Sequence, residues 1–354
     1  METRETPPTE TVSECPLCNS TKIEFLFANQ DRLHRLPGNF GLVKCIECGL
    51  LRLSPRPKLS EMGFYYPGTE YYSYQTPARI RHRGALAQLR DQIRYCVLDS
   101  LGYPQPDLHI VVQFLRRVVA PIFFRSGTFG YGKSFPEFVY DGRALDIGCG
   151  NGLFLSHLKN CGWSVSGVDL SDSAAKSAID AFDIEVFVGN VEDAGFGENS
   201  FDFISLNHSI EHLPDPIKTL TAIYPLLKST GSLYIETPNA SSYNFRAFGP
   251  KWIHTDCPRH LFLFSPNTLR LALEKAGFEV LRTETNAYSA YNWFDTFTQE
   301  EALREKLPNR PRLRTQSLAK SGFHSLASHL SHTLDKNTGD VLKIWAHKGV
   351  VLIK

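Results

Sequence analysis

From Arg143 onward the apolar positions of the chain alternate between two rhythms. The short apolar run "ALDI" passes into a glycine loop, "GCGNG", and then into "LFLSHLKNCG", whose spacing predicts a helix ending near Gly162. "SVSGVDLS" predicts a second strand ending at Asp169, and Ser171 is placed to cap the next helix, "DSAAKSAIDAF". Asp215 and Pro216 supply a cap and a first-turn proline for "PIKTLTAIYPLLK", and Gly231 precedes the strand "SLYIETPN". In "FSPNTLRLALEKAGFEVL", Ser265 is the N-cap, Pro266 the first helical residue and Gly277 the C-cap, before a sixth strand. Strands alternating with helices predict an α/β, Rossmann-like, doubly wound sheet with ligands at the carboxyl ends of its strands.

The front of the chain follows another pattern. "CPLC" and "CIECGL" each put two cysteines on a tight turn, and together Cys15, Cys18, Cys45 and Cys48 make a complete four-sulfur shell for zinc. A hairpin through "KIEFLFANQD" and "GNFGLVKC" can close the distance between the knuckles, and Gly49 suits the positive φ of such a turn. A redox C-x-x-C is the rival reading, although one pair suffices for that and there are two. Full thiolate ligation leaves no open position, so the ion is expected to be structural. The organisation expected is a zinc ribbon at 1–54, a Tyr-rich linker and helical cap at 55–140, and the core at 141–354 with a helical insertion at about 288–335. Tyr65, Tyr66, Tyr71, Tyr72 and Tyr74 in the linker read as inter-domain packing or as a lid bordering a ligand site.

Charge and composition narrow the partners. Basic and acidic residues balance at 38 against 37, so there is no broad positive field for a phosphate backbone; DNA is not expected and RNA is disfavoured. The strongest apolar run, Ile110 to Phe124, is broken by Arg116, Arg117 and Pro121. It is too short and too charged to span a bilayer, which leaves a packed helix or a helix lying on a membrane surface. Eight cysteines without a secretory leader fit a reducing, cytoplasmic setting.

The glycine loop reads G-x-G-x-G, because Leu153 stands where a dinucleotide fingerprint continues. Asp146 just before the loop would repel a pyrophosphate and attract an ammonium group, and Asp169 is placed to accept from two ribose hydroxyls. These features describe a nucleoside with a cationic tail, with a dehydrogenase-type nucleotide fold as the alternative. "LDIGCGNG" followed by "VSGVDLS" resembles the first two motifs of class I S-adenosylmethionine-dependent methyltransferases. The resemblance implies a seven-stranded sheet whose last strand, in "GDVLKIWAHKGVVLI", is antiparallel. It also implies a cofactor site of Asp146, Gly148, Gly150, Gly152, Asp169, Leu170, Asn190, Val191, Asn207 and His208, with Asn190 where many relatives carry Asp.

Methyl transfer to a hydroxyl or carbon acid needs alignment and a base. His260, His212 and His254 are the catalytic candidates, with Glu211 beside His212 as a loop or proton-moving residue; the four-cysteine shell argues against His260 as a metal ligand. The stretch from "TPNASS" to "CPRHLFLFS" resembles small-molecule methyltransferases of quinone and glycan biosynthesis, including sugar C-methyltransferases with a four-cysteine domain. Arg259 replaces their Glu; it suits a phosphate or carboxylate on the acceptor, or else a solvated surface. The expected acceptor is a small molecule or glycan precursor, methylated on oxygen or carbon. An RNA methyltransferase and a non-catalytic cofactor-binding protein are the rival readings.

Overall fold

The computed structural model describes residues 6–66, 98–99, 101–104, 134–287 and 315–349, with 315–322 described as backbone only. Tyr71, Tyr72 and Tyr74, the run Ile110 to Phe124, and the first part of the expected 288–335 insertion lie outside the described residues.

The central sheet has seven strands. In chain order they are β6 (Arg143–Ile147), β7 (Ser164–Asp169), β8 (Glu185–Val188), β9 (Phe201–Asn207), β10 (Leu227–Pro238), β12 (Phe278–Asn286) and β13 (Val341–Lys348); across the sheet the order is β12-β13-β10-β9-β6-β7-β8. β6 pairs in parallel with β7 and β9, and β13 runs antiparallel to β12, as the sequence leads one to expect. β9 is buried from Phe201 to Leu206, the mark of a central strand covered on both faces. β10 begins earlier than expected and runs through Gly231. A Cβ at Gly231 would lie 3.0 Å from the Asp202 carbonyl oxygen, so only glycine lets the strand lie so close.

Helices start where the caps predict. Ser171 Oγ accepts from the Ala174 N–H at the head of α2 (Asp172–Phe182), Asp215 Oδ1 accepts from the Lys218 N–H at the head of α3 (Pro216–Leu226), and a full capping box with Thr268 opens α5 (Pro266–Lys275). The first helix, α1 (Leu153–Lys159), follows the glycine loop directly. A short helix, α4 (Tyr243–Phe248), follows β10, and α6 (Thr315–Leu334) precedes β13 with Phe323, Leu326, Leu330 and Leu334 exposed. Among the described residues no helix is long and apolar enough to cross a membrane.

The chain forms two compact units that are discontinuous in sequence, one of Met1–Gly68, Leu206–Pro225 and Ile235–Lys354, the other of Thr69–Ser205 and Leu226–Tyr234. In the first, β2 (Ile23–Asn29) and β3 (Phe40–Cys45) form the expected hairpin, β4 (Leu51–Leu53) pairs with β3, and β11 (Phe262–Leu263), from far along the chain, pairs with β4 as the fourth strand. A smaller ribbon joins β1 (Thr9–Glu10) to β5 (Arg56–Pro57).

Arg259 holds this unit together, which corrects both of its expected roles. Its guanidinium is fully buried, and its three nitrogens donate to Asp31 at 2.9 and 3.1 Å, to Asp256 at 2.6 and 3.0 Å, and to the Tyr65 carbonyl at 3.1 Å. Asp31 in turn accepts from the N–H groups of Leu33 and His34 at 3.0 Å. Burial disfavours the charge on Arg259, but Asp256 and Asp31 outweigh it and raise its affinity for the proton. With its donors engaged by protein acceptors, Arg259 is neither solvated nor available to a substrate anion.

Replacing Arg259 with leucine leaves two buried carboxylates facing each other, and is expected to cost about 3 to 5 kcal/mol in equilibrium unfolding by urea. Arg259→Lys should recover less than half of that loss, because an ammonium cannot fork between two carboxylates.

Candidate active site

The cofactor side is built at the carboxyl ends of β6 and β7. Gly148, Gly150 and Gly152 have φ of 73°, 53° and 75°, values that L side chains rarely adopt. The loop curls back so that the Gly148 N–H donates to the Val168 carbonyl at 2.7 Å and the Gly150 N–H to Asp169 Oδ2 at 2.9 Å. Asp169 Oδ1 accepts from the Ser171 N–H at 2.9 Å, so each carboxylate oxygen keeps lone pairs for a ribose hydroxyl. Burial raises the affinity of Asp169 for a proton, against the pull of the Ser171 and Gly150 N–H groups. Gly152 serves packing, because a Cβ there would meet Ala178 of α2 at 2.7 Å.

Asp146 is buried in β6 with Oδ1 accepting from Ser205 Oγ at 2.7 Å. Leu170 is exposed beside Asp169, Val191 is buried, and Asn190 is exposed with its amide reaching Asp193 at 3.5 Å. The residues present fit an adenosine: a carboxylate for the ribose, the apolar side chains of Leu170 and Val191, and a left-handed glycine turn that lets backbone approach a ligand.

The imidazole cluster belongs to the other unit. Asn207 ends β9, and His208 follows with a φ of 50°. Its Nδ1 lies 3.4 Å from Glu211 Oε1 and its Nε2 3.6 Å from Glu236 Oε1, while Lys343 Nζ, from β13, sits 3.1 Å from Glu236 Oε2. With a carboxylate at each ring nitrogen, both must carry protons. The His208 side chain is 40% exposed, and the surrounding protein opposes its charge, but Glu211 and Glu236 prevail and raise His208 to about 10; in return His208 overcomes the burial of Glu211 and holds its carboxyl at about 2. His208 is therefore a cation, unsuited to be a base.

The other three histidines surround Glu211. His212 Nδ1 lies 3.0 Å from both the Arg259 carbonyl oxygen and the Tyr66 hydroxyl. His260 is buried, with Nδ1 2.8 Å from the His254 carbonyl oxygen and Nε2 4.0 Å from both Glu211 Oε1 and Asp256 Oδ2. The rings of His212 and His260 meet edge to face at 4.6 Å, and His254 lies parallel to His208 at 6.3 Å. Burial, reinforced by the charge of a neighbouring imidazole, lowers His212 to about 4 and His254 to about 3, so both are neutral at pH 7. Of the linker tyrosines, Tyr66 contacts His212 and Tyr65 donates to the Pro37 carbonyl oxygen at 2.8 Å. The sequence reading missed Glu236, Lys343, Asp31 and Asp256; only Asp256 left a local signal, four residues before His260 and three before Arg259.

The four cysteines also come together. Cys15 Sγ lies 3.5 Å from Cys48 Sγ and Cys18 Sγ 3.5 Å from Cys45 Sγ, and all four sulfurs lie within 4.8 Å of one another. Thiolates at about 2.3 Å from a tetrahedral zinc are about 3.8 Å apart, so the set fits that ion.

Residues 117–283 match the family model described as "Methyltransferase domain". A ubiquinone biosynthesis O-methyltransferase from Thiobacillus denitrificans is 30% identical over 162 residues, 42% of this chain and 68% of the relative. The chain belongs to the S-adenosylmethionine-dependent methyltransferases. The protein of the same name from Paracidovorax citrulli is 28% identical to this methyltransferase over 160 residues, covering 42% of the chain and 67% of the relative. A crystallised SAM-dependent methyltransferase from Archaeoglobus fulgidus is 22% identical, with a TM-score of 0.42 over 66% of this chain and 94% of its own.

The charge states of the methyltransferase's imidazoles give its stability a defined pH profile. His254 is lowered in the folded state, so the unfolded chain takes up the proton first, and this contribution is lost as pH falls from about 6.5 towards about 3. His208 is raised, so its contribution is complete below about 6.5 and is lost as pH rises through about 10. Thermal midpoints measured from pH 4 to 10 should fall at both ends, and His208→Gln should flatten the alkaline limb and also soften the acid one, because the charge of His208 is among the causes that lower His254.

Proposed function

We propose that this methyltransferase moves a methyl group from S-adenosylmethionine to an oxygen of a small-molecule or glycan-type acceptor. The observation that carries the reading is the cluster after β9, where the neutral imidazoles of His212 and His254 accompany His260 beside the buried carboxylate of Glu211 and the largely covered one of Asp256. An uncharged imidazole can take the proton that an acceptor hydroxyl gives up, and the adjoining carboxylates stabilise the imidazolium that results. The relatives named for ubiquinone biosynthesis are O-methyltransferases, which supports oxygen as the acceptor atom.

On the cofactor side, Asp169 holds the ribose, Leu170 and Val191 flank the base, and Asn190 reads its edge. Asp146, held by Ser205, faces the ammonium end. When bound, the cofactor supplies a methyl on a cationic sulfur, and transfer makes a carbon–oxygen bond as the carbon–sulfur bond breaks with its electron pair going to sulfur. The chain contributes alignment and proton removal. Cys15, Cys18, Cys45 and Cys48 hold one structural zinc ion. The balanced charge of the chain, +1 overall, argues against RNA as the acceptor.

Asp169→Ala removes two charge-assisted acceptors worth about 1.5 to 3 kcal/mol each, so calorimetry should find S-adenosylmethionine bound at least about 100-fold more weakly. An unchanged affinity would sink the cofactor assignment. Labelled cofactor incubated with fractionated extract should yield a small extractable methylated product, and label confined to RNA would overturn the acceptor class.

A further inference from the structure

One donor atom from each of Glu211, His212 and His260 lies within 4.8 Å of the other two, a convergence independent of the four cysteines. Each donor is aimed by a second contact. His260 Nδ1 faces the His254 carbonyl oxygen and His212 Nδ1 faces the Arg259 carbonyl oxygen, so each Nδ1 carries the hydrogen and each Nε2 keeps its lone pair. Glu211 Oε2 accepts from Thr237 Oγ1 at 2.9 Å, whereas the buried Oε1 makes no hydrogen bond and looks at His260 Nε2 across 4.0 Å. Glu211 Oε1 and the lone pair of His260 Nε2 thus face each other, and His212 brings a ring nitrogen into the same group, an arrangement that repels itself without a cation between its members. The His208 imidazolium, 3.4 Å from Glu211 Oε1, offsets only the carboxylate's share of that repulsion.

We propose that Glu211, His212 and His260 bind one divalent first-row transition-metal ion, separate from the four-cysteine cluster. Two imidazoles and one carboxylate favour Zn2+, Mn2+, Fe2+ or Co2+ over Mg2+ and Ca2+, which prefer all-oxygen shells. Ligand distances of about 2.0 to 2.2 Å need donor shifts of under about an ångström from the present positions. The expectation that four cysteines exclude His260 from metal binding accounts for one ion only, and this is a second. Three protein ligands leave open positions on the ion, which suit an acceptor hydroxyl; coordination acidifies that hydroxyl, and with His212 and His260 engaged by the ion, His254 is the neutral imidazole left to take its proton. That use of the ion rests on the methyl-transfer reading, whereas its binding does not.

Mn2+ is the probe, because thiolates are poor ligands for it. Chelator-treated full-length protein titrated with Mn2+ should bind one ion per chain, and His260→Ala and Glu211→Gln, each with an unchanged circular dichroism spectrum, should weaken it at least about tenfold. Pulsed electron paramagnetic resonance on the Mn2+-loaded wild-type chain should show imidazole nitrogen coupled to the ion, a readout that needs no variant. Asp169→Ala should leave Mn2+ binding intact, so a failure of the cofactor reading is separable from a failure of this one. Absence of Mn2+ binding, binding unaffected by both variants, or a bound ion without nitrogen coupling overturns the proposal.

Discussion

A guanidinium buried without solvent is the constraint on which the first compact unit depends. Arg259 joins Asp31 near the start of the chain to Asp256 and to the backbone at Tyr65, so segments 228 positions apart are fixed by one side chain. The backbone beside it is stitched in the same way: the Arg259 carbonyl meets His212, the Leu261 N–H donates to the Glu211 carbonyl, and the Leu53 N–H donates to the Leu261 carbonyl. Charge in a core is costly unless every donor is met. Here that completeness places His260, one residue on, with little freedom to move.

The imidazoles that follow share composition but not charge. His208 lies between two carboxylates and is cationic, while His212 and His254, a short distance away, are uncharged. The same cation depresses Glu211 and His254 together, so the protonation states of the cluster are set jointly. Environments that drive like groups apart are the usual way a protein assigns distinct chemical roles to them.

Much of the architecture was readable in advance because its signals are local. Ser171, Asp215 and Ser265 cap their own helices, the glycine turn after β6 requires left-handed backbone, and the knuckles need only short loops and a hairpin. What escaped the reading depends on distant pairing. Nothing near Arg259 announces Asp31, and nothing in "SLYIETPN" or "VLKIWAH" announces that Glu236 and Lys343 converge beside His208. The roles expected for Arg259 failed for that reason: sequence gives a charge, and burial decides what the charge does.

The amino-terminal sheet takes its outer strand, Phe262–Leu263, from late in the chain. During synthesis on the ribosome, therefore, the edge of Leu51–Leu53 and the carboxylate of Asp31 wait without their final partners until some two hundred further residues have emerged. An unpaired edge invites association with other chains. This sheet is begun long before it can be finished, so a nascent chain stalled before Arg259 would carry an unpaired edge.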